Sequence, residues 1–106
     1  MKGRRIPVEL PPQDPCDVVT QAGDYYGPVM GWSADRPAVF FLLPIARDEG
    51  VKESARSLRH VCMPPHKFTE EPDGTLTIKG SILAYGWQGE PAVWHGYLTK
   101  GIWVEC

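Results

Sequence analysis

No apolar run in this chain approaches the ~18 residues that a membrane-spanning helix requires. The longest, Ala38–Ala46, is interrupted by Pro44, so no membrane contact is expected. Cysteine is scarce: Cys16, Cys62 and Cys106 lie far apart, which excludes a disulfide framework and fits reduced thiols. Charge of either sign is also in short supply. A net charge of −2 lacks the basic excess of a nucleic-acid binder and the large acidic surplus of a DNA mimic, so a nucleic-acid partner is not expected. No complete catalytic or cofactor motif is present. Cys62 is followed by Met63-Pro64-Pro65 and Cys106 lies in no nucleophile motif. The basic stretch Met1–Pro7 has no hydrophobic segment behind it, so a cytoplasmic location is expected.

What the chain has in quantity is proline and glycine, eleven of each in 106 residues. Such punctuation favours short strands and many turns over a helical bundle. The length predicts a single domain over 1–106, with residues 1–17 a proline-rich arm that carries an edge strand near Arg5–Leu10. Tyr25–Trp32 reads as a short strand. Ala38–Ala46 is apolar on both faces, as a central strand must be. In Asp48–Val61, Val51, Ala55, Leu58 and Val61 recur at helical spacing, with Asp48 as N-cap and Pro64-Pro65 beyond the end. The predicted fold is mainly β: an antiparallel sandwich or partly open barrel of about five to seven short strands with one short helix.

Two hairpins follow. In the first, Glu71-Pro-Asp-Gly-Thr75 is a type I turn closed by a left-handed glycine. It sets Phe68 opposite Ile78, Thr69 opposite Thr77 and Lys67 opposite Lys79, a like-charge pair. Leu76, Ile78, Gly80, Ile82 and Ala84 then share one face. In the second, a three-residue loop Thr99-Lys100-Gly101 pairs Leu98 with Ile102 and His95 with Glu105. That register puts Trp94, Leu98, Ile102, Val104 and Cys106 in the core and turns Val93, His95, Tyr97, Trp103 and Glu105 outward.

Four constellations could carry chemistry or binding. His95 and Glu105, opposed on one face, form an acid–base pair in which the carboxylate orients the imidazole; the plainer reading is a cross-strand polar pair. His60, Cys62, His66 and His95 supply enough donors for zinc, but their spacing matches no standard site, and Cys62 serves as well as a small buried apolar group. Lys52, Arg56 and Arg59 form a basic helical stripe interleaved with glutamates, as on a solvated face. The aromatic set Tyr85, Trp87, Tyr97 and Trp103, with Trp87 on a glycine-rich loop, has the composition of a protein-contact hot spot.

Gly74–Leu83 together with Trp94-His-Gly-Tyr and Gly101-Ile-Trp103 resembles a family of small phage- and prophage-encoded proteins of unknown function. Its members show a Ser-Ile strand, then Trp/Cys-His-Gly-aromatic, then Gly-x-Trp near the end. The resemblance spans roughly residues 60–106 and implies a mobile-element gene but no activity. Family members often carry an upstream Cys-x-x-Cys pair that implies a structural metal. This chain has no such pair, and Gly80 stands where proline is common. The expected role is a non-enzymatic module binding a host or phage protein, such as an inhibitor of a host defence system (an anti-CRISPR, for example), with no cofactor. The alternatives are a zinc protein or metal-dependent hydrolase built on His60, His66 and His95, and a structural or homodimeric assembly protein.

Overall fold

A computed structural model describes residues 1–8, 14–30, 36–44, 58–63, 65–84 and 94–106. Among the described residues, eight strands, against the five to seven expected, form two four-stranded sheets packed face to face, the mainly β sandwich read from the sequence. The first sheet has the order β1 (Arg4–Arg5), β2 (Asp24–Met30), β3 (Pro37–Leu42), β4 (Leu58–Cys62). The second runs β5 (Lys67–Glu70), β6 (Leu76–Ala84), β7 (Trp94–Thr99), β8 (Ile102–Glu105). All neighbours are antiparallel except β1 and β2.

The Pro37–Leu42 strand has neighbours on both sides, and its residues from Ala38 onward are buried. Its alternate side chains feed two cores, as an apolar run with no polar face requires. Val39 and Phe41 join Tyr25, Val61, Leu76, Ile78, Ile82, Leu98, Trp94 and Trp103 between the sheets. Ala38, Phe40 and Leu42 join Tyr26 and Val19 on the outside of the first sheet, with Ile6, Val8 and Val18 packed over them. The proline-rich arm is therefore a cover for this second cluster. Among the described residues its strand is Arg4–Arg5, which starts one residue earlier than expected and runs parallel to β2.

The first residues also tie the two sheets together. Gly3 N–H donates to the Gly101 carbonyl (2.8 Å) and Trp103 N–H to the Met1 carbonyl (2.8 Å), which occupies the edge of β8. Two residues later the chain pairs with β2. Arg4 then meets the buried Asp24, which accepts from Arg4 Nε (3.0 Å) and Nη2 (2.7 Å) and from the amides of Thr20 and Gln21. Burial opposes ionisation of Asp24, but these bonds and the Arg4 charge outweigh it and hold its pKa below the usual value.

The expected helix is corrected in its last turn. Leu58–Cys62 is a strand paired with β3 from Ala38↔Cys62 to Leu42↔Leu58; residues 48–57 lie outside the described residues. The helical spacing of Leu58 and Val61 was overridden by the open edge of β3, which offers alternate backbone amides a partner. Among the described residues, the helical structure is a 3-10 turn, Pro15–Asp17, capped by the Asp14 carboxylate on Cys16 N–H.

Candidate protein-contact face

The two hairpin turns decide which side chains meet solvent. The first forms as read: Gly74 (φ 86°) donates to the Glu71 carbonyl, and Glu71 N–H to the Thr75 carbonyl. Lys67↔Lys79, Phe68↔Ile78 and Thr69↔Thr77 follow. Leu76, Ile78, Ile82 and Ala84 are buried in consequence.

The second hairpin corrects the expected register. Its loop has two residues, Lys100 (φ 49°) and Gly101 (φ 75°), closed by the pair Thr99↔Ile102. Left-handed backbone at both positions is the type I′ arrangement, whose twist matches the flanking strands, so a lysine accepts an unfavourable φ to keep it. The shift by one residue exchanges the two faces of β8. Trp103, expected outward, pairs with Leu98 and is buried, its Nε1 donating to the Gly23 carbonyl (2.9 Å). Ile102 and Val104, expected in the core, face solvent. Glu105 pairs with Gly96, on the side of the sheet opposite His95, so the His95–Glu105 acid–base pair does not form.

What emerges is an apolar patch across three strands of the second sheet's outer face. Leu83 (46% exposed), Tyr97 (42%), Ile102 (48%) and Val104 (49%) are its large apolar members. Tyr97 and Val104 are direct cross-strand partners, Ile102 faces Thr99, and Leu83 faces His95. Gly96 holds the opposite, inner side. A Cβ there would collide with the Val104 carbonyl oxygen and lie 2.7 Å from the Trp94 ring, so any larger residue displaces strand backbone as well as the core indole. Beyond Tyr97 the face continues into Thr77, Lys79, Thr69 and Lys67, which alternate with the inward Ile78 and Phe68. The carboxylates at this end have other partners. Glu70 pairs with Arg5 (2.5 Å), Asp73 caps the Thr75 amide and hydroxyl, and Glu71 accepts from the Thr77 hydroxyl (3.2 Å). The Arg5 hydrogen bonds lower the Glu70 pKa, and those from Thr75 lower that of Asp73.

The zinc candidates are dispersed. His60 and Cys62 lie on the outer side of the first sheet, with His60 stacked on Phe40 (5.4 Å) and Cys62 against the second cluster. His66 stands at the start of β5, its Nε2 donating to the Ser81 carbonyl (2.9 Å), while its Nδ1 is buried with no hydrogen-bond partner. His95 is exposed on the second sheet. A cleft of ≈ 460 Å³ between β4 and β6 is lined by His60, Cys62 and His66 together with Phe41 and Ile82. Among the described residues, no group of three or more His, Cys, Asp or Glu is placed to hold a metal. Arg59 belongs to a strand, and the basic stripe's other members, Lys52 and Arg56, lie outside the described residues, as do Tyr85 and Trp87 of the aromatic set. No helix among the described residues is long and apolar enough to cross a membrane.

Comparison with protein-family models, curated proteins and solved structures finds no match. The site is thus read from its chemistry. Of the four aromatics proposed for contact, Tyr97 is displayed and Trp103 is a core residue. Val104 and Ile102 are the exposed apolar residues that sequence reasoning placed in the core. The available signal was Lys100-Gly101 itself, a two-residue loop ending in glycine between strands that alternate on either side.

Proposed function

We propose that this chain is a non-enzymatic protein-binding module whose contact surface is the outer face of β6, β7 and β8. The observation that carries the reading is the half-exposed row Leu83, Tyr97, Val104 and Ile102 on one sheet face. An aromatic ring set among aliphatic side chains on a preformed strand surface costs little side-chain entropy on contact and excludes water well. The mobile-element setting, with a host protein such as a defence component as target, rests on the resemblance of residues 60–106 and gives the context in which a partner is sought.

The test is capture from a bacterial host lysate by immobilised wild-type protein, Tyr97→Asp, Val104→Asp, and Met30→Asp as a control on the other sheet. Matching circular dichroism spectra first establish that all four are folded. A protein retained in near-stoichiometric amount by wild type and Met30→Asp, and lost by both outer-face variants, supports the reading. Equal retention by all four refutes it. A dimer in solution that Val104→Asp converts to monomer would give the face to self-assembly instead.

A further inference from the structure

We propose that this face receives an acidic segment of a protein, with carboxylates seated at Lys67 and Lys79 and apolar side chains beside Tyr97 and Val104. The proposal rests on the protein-binding reading and adds the chemistry of the partner. Lys67 and Lys79 are direct partners across the β5–β6 ladder, and both are exposed. Cross-strand partners hold their Cβ atoms ~5 Å apart, so like charges there oppose each other in the folded protein. Among the described residues, neither ammonium has an ion pair or hydrogen bond, and the nearby carboxylates of Glu70, Asp73 and Glu71 are engaged by Arg5, Thr75 and Thr77. A carboxylate arriving from outside would meet two cations at once and relieve their repulsion. It would also have the Thr69 and Thr77 rows beside it. Ile78 pairs with Leu98 and Ile82 with Gly96, so Tyr97 lies opposite the irregular stretch of β6 that begins at Lys79, and Val104 lies one strand further. The face therefore grades from cationic at β5 to apolar at β8. A segment that alternates acidic and apolar residues complements that gradient.

A nucleic acid fits less well. Single-stranded binders set several cations along the backbone path and several rings for stacking, whereas this face offers one phenol and one imidazole among three aliphatic side chains in a chain of net charge −2. The test is an NMR titration of the full chain with a short peptide alternating glutamate and leucine. A lysine–leucine peptide and an oligothymidylate are titrated in parallel. Expected are shifts at Lys67, Lys79, Tyr97 and Val104, with binding weakened about tenfold in Lys67→Glu/Lys79→Glu and reduced by added salt. No shift at millimolar glutamate–leucine peptide overturns the proposal, as does equal binding of the lysine–leucine peptide. Tighter binding of oligothymidylate overturns it in favour of nucleic acid. The two readings separate in the lysate experiment. Capture lost with Tyr97→Asp but kept with Lys67→Glu/Lys79→Glu leaves a protein-binding face without the acidic preference. Capture that depends on neither removes both.

Discussion

Truncating Trp103 discriminates between the two registers of the last hairpin. In the observed register its indole lies against Phe41 (4.9 Å between ring centroids), Trp94 (5.7 Å) and Tyr25 (6.0 Å), with 2% of its surface exposed. Trp103→Ala removes this contact and opens a cavity between the sheets, at a cost of about 3–5 kcal/mol. A domain of this size has roughly 5–15 kcal/mol of stability in total, so the midpoint of thermal unfolding should fall by roughly 12 °C or more. Trp103→Phe keeps most of the ring volume but removes the bond to the Gly23 carbonyl, for about 1–2 kcal/mol. Tyr97→Ala, on the outer face, should cost less than about 1 kcal/mol. Urea denaturation of the three variants, followed by circular dichroism, measures all of these. If Tyr97→Ala proves as costly as Trp103→Ala or costlier, the faces are exchanged and the two-residue loop is refuted.

Other outcomes follow from the same packing. Gly96→Ala should destabilise by more than about 2 kcal/mol because the new methyl meets the Val104 carbonyl oxygen and the Trp94 ring; a soluble variant with unchanged tryptophan fluorescence and midpoint would contradict those contacts. Lys100→Asn, which puts a residue tolerant of left-handed backbone before Gly101, should raise stability by about 0.5–1 kcal/mol; a lower midpoint would argue against the type I′ turn. Asp24 has its pKa lowered in the folded state, so its contribution is present above the ordinary aspartate range and is lost as pH falls through the folded value. Asp24→Asn should cost about 1–3 kcal/mol at neutral pH and flatten the acid limb of the stability profile, and an unchanged limb would discount the Arg4–Asp24 pair. Tyr26 has its phenol pushed up to about 12, chiefly by burial, so its contribution holds below the ordinary tyrosine value and is lost as pH rises towards 12. Spectrophotometric titration should show Tyr26 ionising last, and loss of that late phase in Tyr26→Phe confirms the assignment.

Much of the fold was legible because local chemistry and long-range packing agreed. Glu71-Pro-Asp-Gly-Thr75 carries its turn type in its own residues, and the strict alternation from Leu76 to Ala84 admits one buried face, so Lys67, Phe68 and Thr69 fall opposite their partners without reference to the rest of the molecule. Ala38–Leu42, apolar on both sides, could only be a central strand. What the chain alone could not decide were places where two local solutions differ little and the tertiary structure chooses. Thr99-Lys100-Gly101 permits a two- or three-residue loop. The sandwich chose the first because it alone brings the Trp103 indole between Phe41 and Trp94 and its N–H to the Gly23 carbonyl, at the cost of a left-handed lysine. Leu58–Val61 has helical spacing, yet the free edge of β3 drew it into the sheet. The first of these decisions sets the candidate contact face. Exchanging the sides of β8 turned Val104 and Ile102 outward beside Tyr97 and withdrew Trp103. The sequence by itself therefore determined a glycine- and proline-punctuated β sandwich. Its exposed apolar face was decided by tertiary packing, because a one-residue register choice, worth little locally, moves an indole and two aliphatic side chains across the sheet.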